Sequence, residues 1–150
     1  MERTIVIKAG PDTVLDVITD FDSYPVWQKQ VANCEVHERD DEGRPILVTI
    51  TTTAMGMTIP APVKVSYGSG EMEYHLVEPS GVAVQQDAYY ALHAVSDVET
   101  ELRLQMQVDL KWNLPAIMLS QLATKGVNEN LKAVKQVAER RVAEAAGSQQ

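Results

Sequence analysis

The sequence predicts an α+β fold: one strand, two short helices, six further strands in an antiparallel sheet, and one long C-terminal helix. Three observations predict it. "RTIVIK" and "TELRLQMQVDLKW" alternate apolar and polar residues with the period of a half-buried strand. The segments between them are joined by short turn signals, which leave no room for the crossovers that parallel strands need. After Pro115, a 3.6-residue apolar stripe runs to the neighbourhood of Ala146 with no strand behind it.

The elements follow in order. In "RTIVIK", residues 3–8, Ile5 and Ile7 share one face of a first strand. "GPDTVLDVITDF" changes period: Pro11 suits the first helical position, Asp12 the positive end of the helix dipole, and Val14, Leu15, Val17, Ile18 and Phe21 form a helical stripe. Pro25 lacks an N–H and turns Tyr24 away from helical geometry, so a second helical turn is expected to start near it. "VANCEVHER" and "PILVTITTT" read as strands around an Asp-Glu-Gly hairpin loop. "APVKVSY", "EMEYHLVE", "VAVQQDAYYALHAV" and "TELRLQMQVDLKW" continue the pattern. In the last of these, Leu102, Leu104, Met106, Val108 and Leu110 face one way and polar residues the other. Asn113 or its neighbour is the expected cap of the final helix, whose stripe is Leu119, Leu122, Gly126 or Val127, Leu131, Val134 and Val137 to Ala138. At about 1.5 Å per residue such a helix approaches ~45 Å, enough to lie across a sheet.

Composition narrows the function. The chain has 150 residues and a formal net charge of −8, a length suited to one domain. Its basic residues are scattered, which argues against binding nucleic acid through phosphates or resting on an anionic membrane. No apolar run reaches the roughly 20 residues of a membrane span, and "MERTIVIKAGPD" meets Gly-Pro-Asp before a signal-peptide core develops. A cytoplasmic location is therefore expected. Cys34 is the single cysteine, and within an apolar alternation it reads as a buried, unreactive thiol.

One stretch stands out. "FDSYPVW", residues 21–27, holds the only phenylalanine and one of two tryptophans in an aromatic-poor chain. Together with "DVITDFDSYPVWQKQVANCEV" and "MQVDLKWNLPAIMLSQLATKGVNENLKAVKQVAE", it resembles the START-like helix-grip (SRPBCC) superfamily. Within that superfamily it is most similar to the polyketide cyclase/dehydrase and coenzyme Q-binding branch of bacterial type. The motif residues are Asp20, Phe21, Tyr24, Pro25 and Trp27. The resemblance implies about seven antiparallel strands curled around the C-terminal helix, with a cavity between them for a lipid, polyketide or quinone-like molecule. Residues 1–146 are then one such domain and 147–150 a disordered tail. No cofactor is implied, and the oligomeric state is left open.

The candidate site residues admit structural as well as functional readings. His37, His75 and His93 lie on three strands without metal-ligand spacing, so no metal site is expected. His75 and His93 neighbour apolar positions, which places them on the solvent face. Asp87 and Tyr90 are the weak catalytic candidates; Tyr90 reads first as a core tyrosine with a hydrogen-bonded hydroxyl. The apolar stripe of the last strand contributes Leu104, Met106 and Val108 to a ligand-enclosing wall, and Tyr74 joins it from another strand. Leu119, Leu122, Ala123 and Gly126 face it from the helix. A glycine there costs about 1 kcal/mol relative to alanine, so either the sheet or a ligand needs the room. "TTTAMGMTIPAP", residues 51–62, joins two strands either as an irregular hairpin or as a lid in which Met55, Met57 and Ile59 cover the mouth. Trp27 completes the set at the closed end of the sheet.

Three functions compete. Binding of a hydrophobic small molecule is favoured, because the clearest inward stripe is apolar throughout and the methionines suit an irregular ligand. A polyketide cyclase or dehydratase needs a base and an enolate-stabilising donor, for which only Tyr90 and Asp87 offer themselves. A protein-interaction module predicts an exposed apolar patch without an interior cavity.

Overall fold

Strand β1 (Glu2–Ile7) is followed by α1 (Pro11–Thr19), a 3-10 turn over Phe21–Ser23, and α2 (Tyr24–Trp27). Six strands come next, β2 (Val31–Arg39), β3 (Pro45–Ala54), β4 (Met57–Gly68), β5 (Glu71–Leu76), β6 (Ala83–Ser96) and β7 (Glu99–Leu110), and then α3 (Ala116–Ser148). The computed structural model describes residues 1–54, 56–111 and 114–148. The strands form one antiparallel sheet in the order β1-β7-β6-β5-β4-β3-β2. Each hairpin-linked strand lies beside its predecessor, and only β1 crosses over, to pair with β7, because α1 and α2 intervene. The α+β helix-grip fold expected from the sequence is the observed one.

Local chemistry explains the boundaries. Pro11 occupies the first turn of α1, and Val14, Val17 and Ile18 bury its inner face. The helix stops at Asp20, whose φ of −84° and ψ of 69° are not helical. Phe21 therefore belongs to the 3-10 turn after α1 rather than to its stripe, although it is wholly buried. Its ring lies 4.7 Å from that of Tyr24 and 6.3 Å from that of Tyr74. Tyr24 donates its hydroxyl to the carbonyl of Ile18, which ties α2 back onto α1.

The segment 51–62 is a hairpin: β3 runs to Ala54, β4 starts at Met57, and Gly56 takes a left-handed φ of 77° between them. Pro60 and Pro62 sit inside β4 opposite Thr51 and Thr49. The pairing of β4 with β5 ends at Val63; beyond it Val77 N–H donates to the Pro62 carbonyl at 2.8 Å, and proline returns no bond, so the ladder stops there and Pro60 lies on an edge segment. Ile59 is part of the wall and is buried; Met57 is 39% exposed at the hairpin end. Met55 lies outside the described residues, as does the expected cap Asn113.

The core lies between the concave face of the sheet and the helices. It joins Ile7, Val14, Ile18, Phe21, Val48, Val63, Met72, Leu102 and Leu104 to Val127, Leu131, Val134 and Ala138 of α3. Cys34 is a member of it, and burial, aided by nearby Asp22, pushes its thiol up to about 12. α3 continues through Ser148, two residues past the expected end. No helix among the described residues is long and apolar enough to cross a membrane.

Candidate functional site

The long helix covers only part of the sheet tightly. From Val127 onward its stripe is buried, but Leu122, Ala123 and Gly126 in the preceding turns are only half-buried. The facing strand shows the same gradient. Leu102 and Leu104 of β7 are fully buried, whereas Met106, Val108 and Leu110 further along the same stripe are not. Helix and sheet diverge toward the start of α3, and a cavity of about 380 Å³ lies between them. That volume falls within the range of small-molecule sites, about 300–1,000 Å³.

The surroundings of Gly126 exclude one of its two explanations. A Cβ built on it meets nothing within 4 Å, so no strand presses on the helix there. The missing side chain widens the cavity instead. Ile50 and Ile59 from β3 and β4, with Tyr24, Val31 and Tyr74, complete the apolar wall. Thr52, Thr53 and Gln86 interrupt it, and Lys125 and Glu129 on α3 are exposed members of the lining.

One end of the cavity is polar and buried. Asn130 lies on the buried stripe of α3 and is 5% exposed. Its Oδ1 accepts the hydroxyl of Tyr90 at 3.3 Å, and its Nδ2 donates to Oε1 of Gln28 at 3.1 Å. Gln30 Nε2 donates to the same Oε1 at 3.2 Å. Burial, reinforced by the neighbouring phenol of Tyr74, raises Tyr90 well above the ordinary tyrosine value. Burial likewise pushes Tyr74 up to about 12, opposed by a hydrogen bond with Gln86. These phenols stay protonated at any physiological pH and can act as hydrogen-bond donors, not as bases.

The structure separates the candidate residues into groups. Tyr74, Met106, Val108, Leu122, Ala123 and Gly126 line the cavity. Leu104 and Tyr90 are buried beneath it, the latter reaching it only through Asn130. Trp27 packs edge-on against Tyr24, with ring centroids 5.2 Å apart, and is not in the lining. Met57 and half-buried Leu119 are not in it either. Gln28 and Asn130 went unnoticed in the sequence. Asn130 had a signal, since it stands three residues from Val127 and four from Val134 on one helical face.

Asp87 and Tyr90 do not form a pair. Three residues apart on β6, they point to opposite faces of the sheet. Asp87 sits on the outer face, where His75 Nδ1 is 2.8 Å from its Oδ1 and Gln85 donates to Oδ2 at 2.7 Å. The Asp87 hydrogen bond raises the His75 pKa above 6.5, against a smaller opposing effect of desolvation and with help from Glu73. Partial burial pushes Asp87 upward, but hydrogen bonds from Gln85 and His75 outweigh it and hold the carboxyl below 3.8. The raised histidine favours the folded state at pH below about 6.5 and loses that contribution as pH rises through its folded pKa. The lowered aspartate contributes above its unfolded pKa and loses its share in acid. Asp87→Asn is therefore expected to bring the His75 pKa down toward 6.5, read from the ring-proton shifts in an NMR titration. An unchanged value would show that Asp87 is not the cause. Among the described residues no group of three or more His, Cys, Asp or Glu side chains is placed to hold a metal ion.

Comparison with known proteins places this geometry. Residues 1–139 match the family model described as polyketide cyclase / dehydrase and lipid transport. A START superfamily protein from Mycobacterium smegmatis is similar in structure, with a TM-score of 0.86 at 20% identity over 93% of this chain and 97% of that one. The ZhuI aromatase/cyclase from Streptomyces sp. R1128 has a TM-score of 0.83 at 17% identity, over 95% of this chain and 94% of its own. A protein from Thermus thermophilus follows at 0.74, with 18% identity and 97% of both chains covered. No curated protein matches the sequence. At these identities the structural matches establish a shared fold.

Proposed function

The chain belongs to the polyketide cyclase / dehydrase and lipid transport family, and on that premise we propose that it binds one hydrophobic small molecule between the sheet and the first turns of α3. The observation that carries this reading is the divergence of helix and sheet around Gly126, which leaves about 380 Å³ walled mainly by apolar side chains. A protein that needed only a core would close this gap, because an unfilled cavity forfeits packing energy. Filling it with a lipid-, polyketide- or quinone-like ligand recovers that energy in the bound state.

Binding is favoured over turnover by the chemistry of the wall. Its ionisable members among the described residues are Tyr24, Tyr74, Lys125 and Glu129. Burial, with the Tyr90 phenol nearby, raises Tyr24 well above its ordinary value, as burial raises Tyr74, so neither supplies a base. Glu129 is exposed on α3. A cyclase or dehydratase needs a base at the substrate and a donor for the enolate, and among the described residues the buried part of the wall offers phenol donors but no ionisable base. The interaction-module alternative expects no interior cavity, which the divergence at Gly126 argues against.

The experiment is an NMR titration of protein carrying methyl-labelled methionine with 2-ethylnaphthalene, a neutral hydrocarbon. Saturable movement of the Met106 methyl signal, with Met1 and Met57 unmoved, is the expected result. A static Met106 signal, or movement confined to Met57, would overturn the proposal.

A further inference from the structure

Gln28 is 3% exposed and lines the cavity just beyond α2. Donors from Asn130 and Gln30 both end on its Oε1, which fixes the orientation of the amide. The other amide atom, Nε2, is buried and has no hydrogen-bond partner among the described residues. Buried donors in folded proteins are almost always paired, and leaving one unpaired carries a real cost. Trp27 Nε1 is also unpaired, but Trp27 does not line the cavity. Gln28 thus combines an unmet buried donor with a place in the cavity lining.

We propose that Gln28 Nε2 is the recognition donor of this cavity and that the ligand is a hydrophobic molecule bearing an uncharged ketone or ester carbonyl, whose oxygen accepts from it. This rests on the cavity being a ligand site, and it adds the ligand's polar chemistry. The neighbouring acceptors are already committed: Oε1 of Gln28 accepts twice, and Oδ1 of Asn130 accepts from Tyr90. A carbonyl oxygen supplies the acceptor that Nε2 lacks and brings no proton of its own to be satisfied. A carboxylate needs a cation, and the cationic member of the lining, Lys125, is an exposed residue. Asn130 is a positioning residue that holds the Gln28 amide in register, with Tyr90 behind it.

The test compares two probes of matched shape, 2-acetylnaphthalene and 2-ethylnaphthalene, which differ by a carbonyl oxygen. Both are titrated calorimetrically into the wild type and into Gln28→Met, which keeps side-chain length and removes the donor. The ratio of ketone to hydrocarbon affinity is expected to fall about tenfold in the variant. In infrared spectra the carbonyl band of the bound ketone should lie at lower frequency in the wild type than in Gln28→Met. An unchanged ratio and identical bands, with both probes bound, would overturn the role of Gln28 while leaving the binding site intact. Failure of the wild type to bind either probe would overturn the site itself and this inference with it. If Gln28→Met does not fold by circular dichroism, the wild-type band decides. A position matching that in hexane overturns the proposal, and a hydrogen-bonded position supports it.

Discussion

Phe21→Ala is expected to lower the unfolding free energy by about 3–5 kcal/mol. The ring is fully buried at the point where three elements meet, the end of α1, the short α2 and strand β5. Its contacts with Tyr24 and Tyr74 add aromatic packing to the area it removes from water. Asp20 ends α1 immediately before it, so the ring anchors a single 3-10 turn rather than the middle of a continuous helix. Collapse of the neighbours into the hole is opposed by the Tyr24 hydroxyl, anchored on the Ile18 carbonyl. Urea unfolding monitored by circular dichroism measures the loss; a change below about 1 kcal/mol would contradict this placement of the aromatic cluster.

Gly126→Leu is expected to separate stability from binding. A Cβ at this position meets nothing within 4 Å, so the first carbon of the new side chain meets no obstacle. Replacing glycine inside a helix by a good helix former stabilises by roughly 0.8–1 kcal/mol. The same side chain projects into the space a ligand needs. Affinity for 2-ethylnaphthalene should fall at least about tenfold while the thermal midpoint holds or rises. A drop in midpoint with unchanged affinity would mean that the helix is tightly packed here and that the ligand lies elsewhere. Opposite signs in two measurements on one variant make a general unfolding effect easy to recognise.

Much of this architecture was legible in the residues, for a physical reason in each case. Period-2 alternation marked β1 and β7 because each has one wet face, and the stripe from Val127 to Ala138 marked the buried side of α3. β4 begins at Met57, ahead of the expected start at Ala61, because Pro60 lies where β4 has no β5 partner, and edge position is a tertiary fact. Half of the expected ligand-lining residues do line the cavity, those on β5, β7 and α3 where periodicity gives the facing side. Tyr90 and Asp87 were grouped by closeness in sequence, while their odd separation put them on opposite faces. Gln28 follows a four-residue helix and belongs to no period at all. Its importance comes from Asn130, 102 positions away, and a long-range pair of polar side chains leaves no trace in one sequence.

The central claim is that the space beneath the first turns of α3 is a ligand site, and a crystal structure of the protein with 2-ethylnaphthalene tests it most directly. The account predicts ligand density against Gly126, Met106 and Val108, with Leu122 and Ala123 across from the sheet. Density on the outer face beside His75 and Asp87, or a cavity closed by α3 settling onto β7, would contradict it.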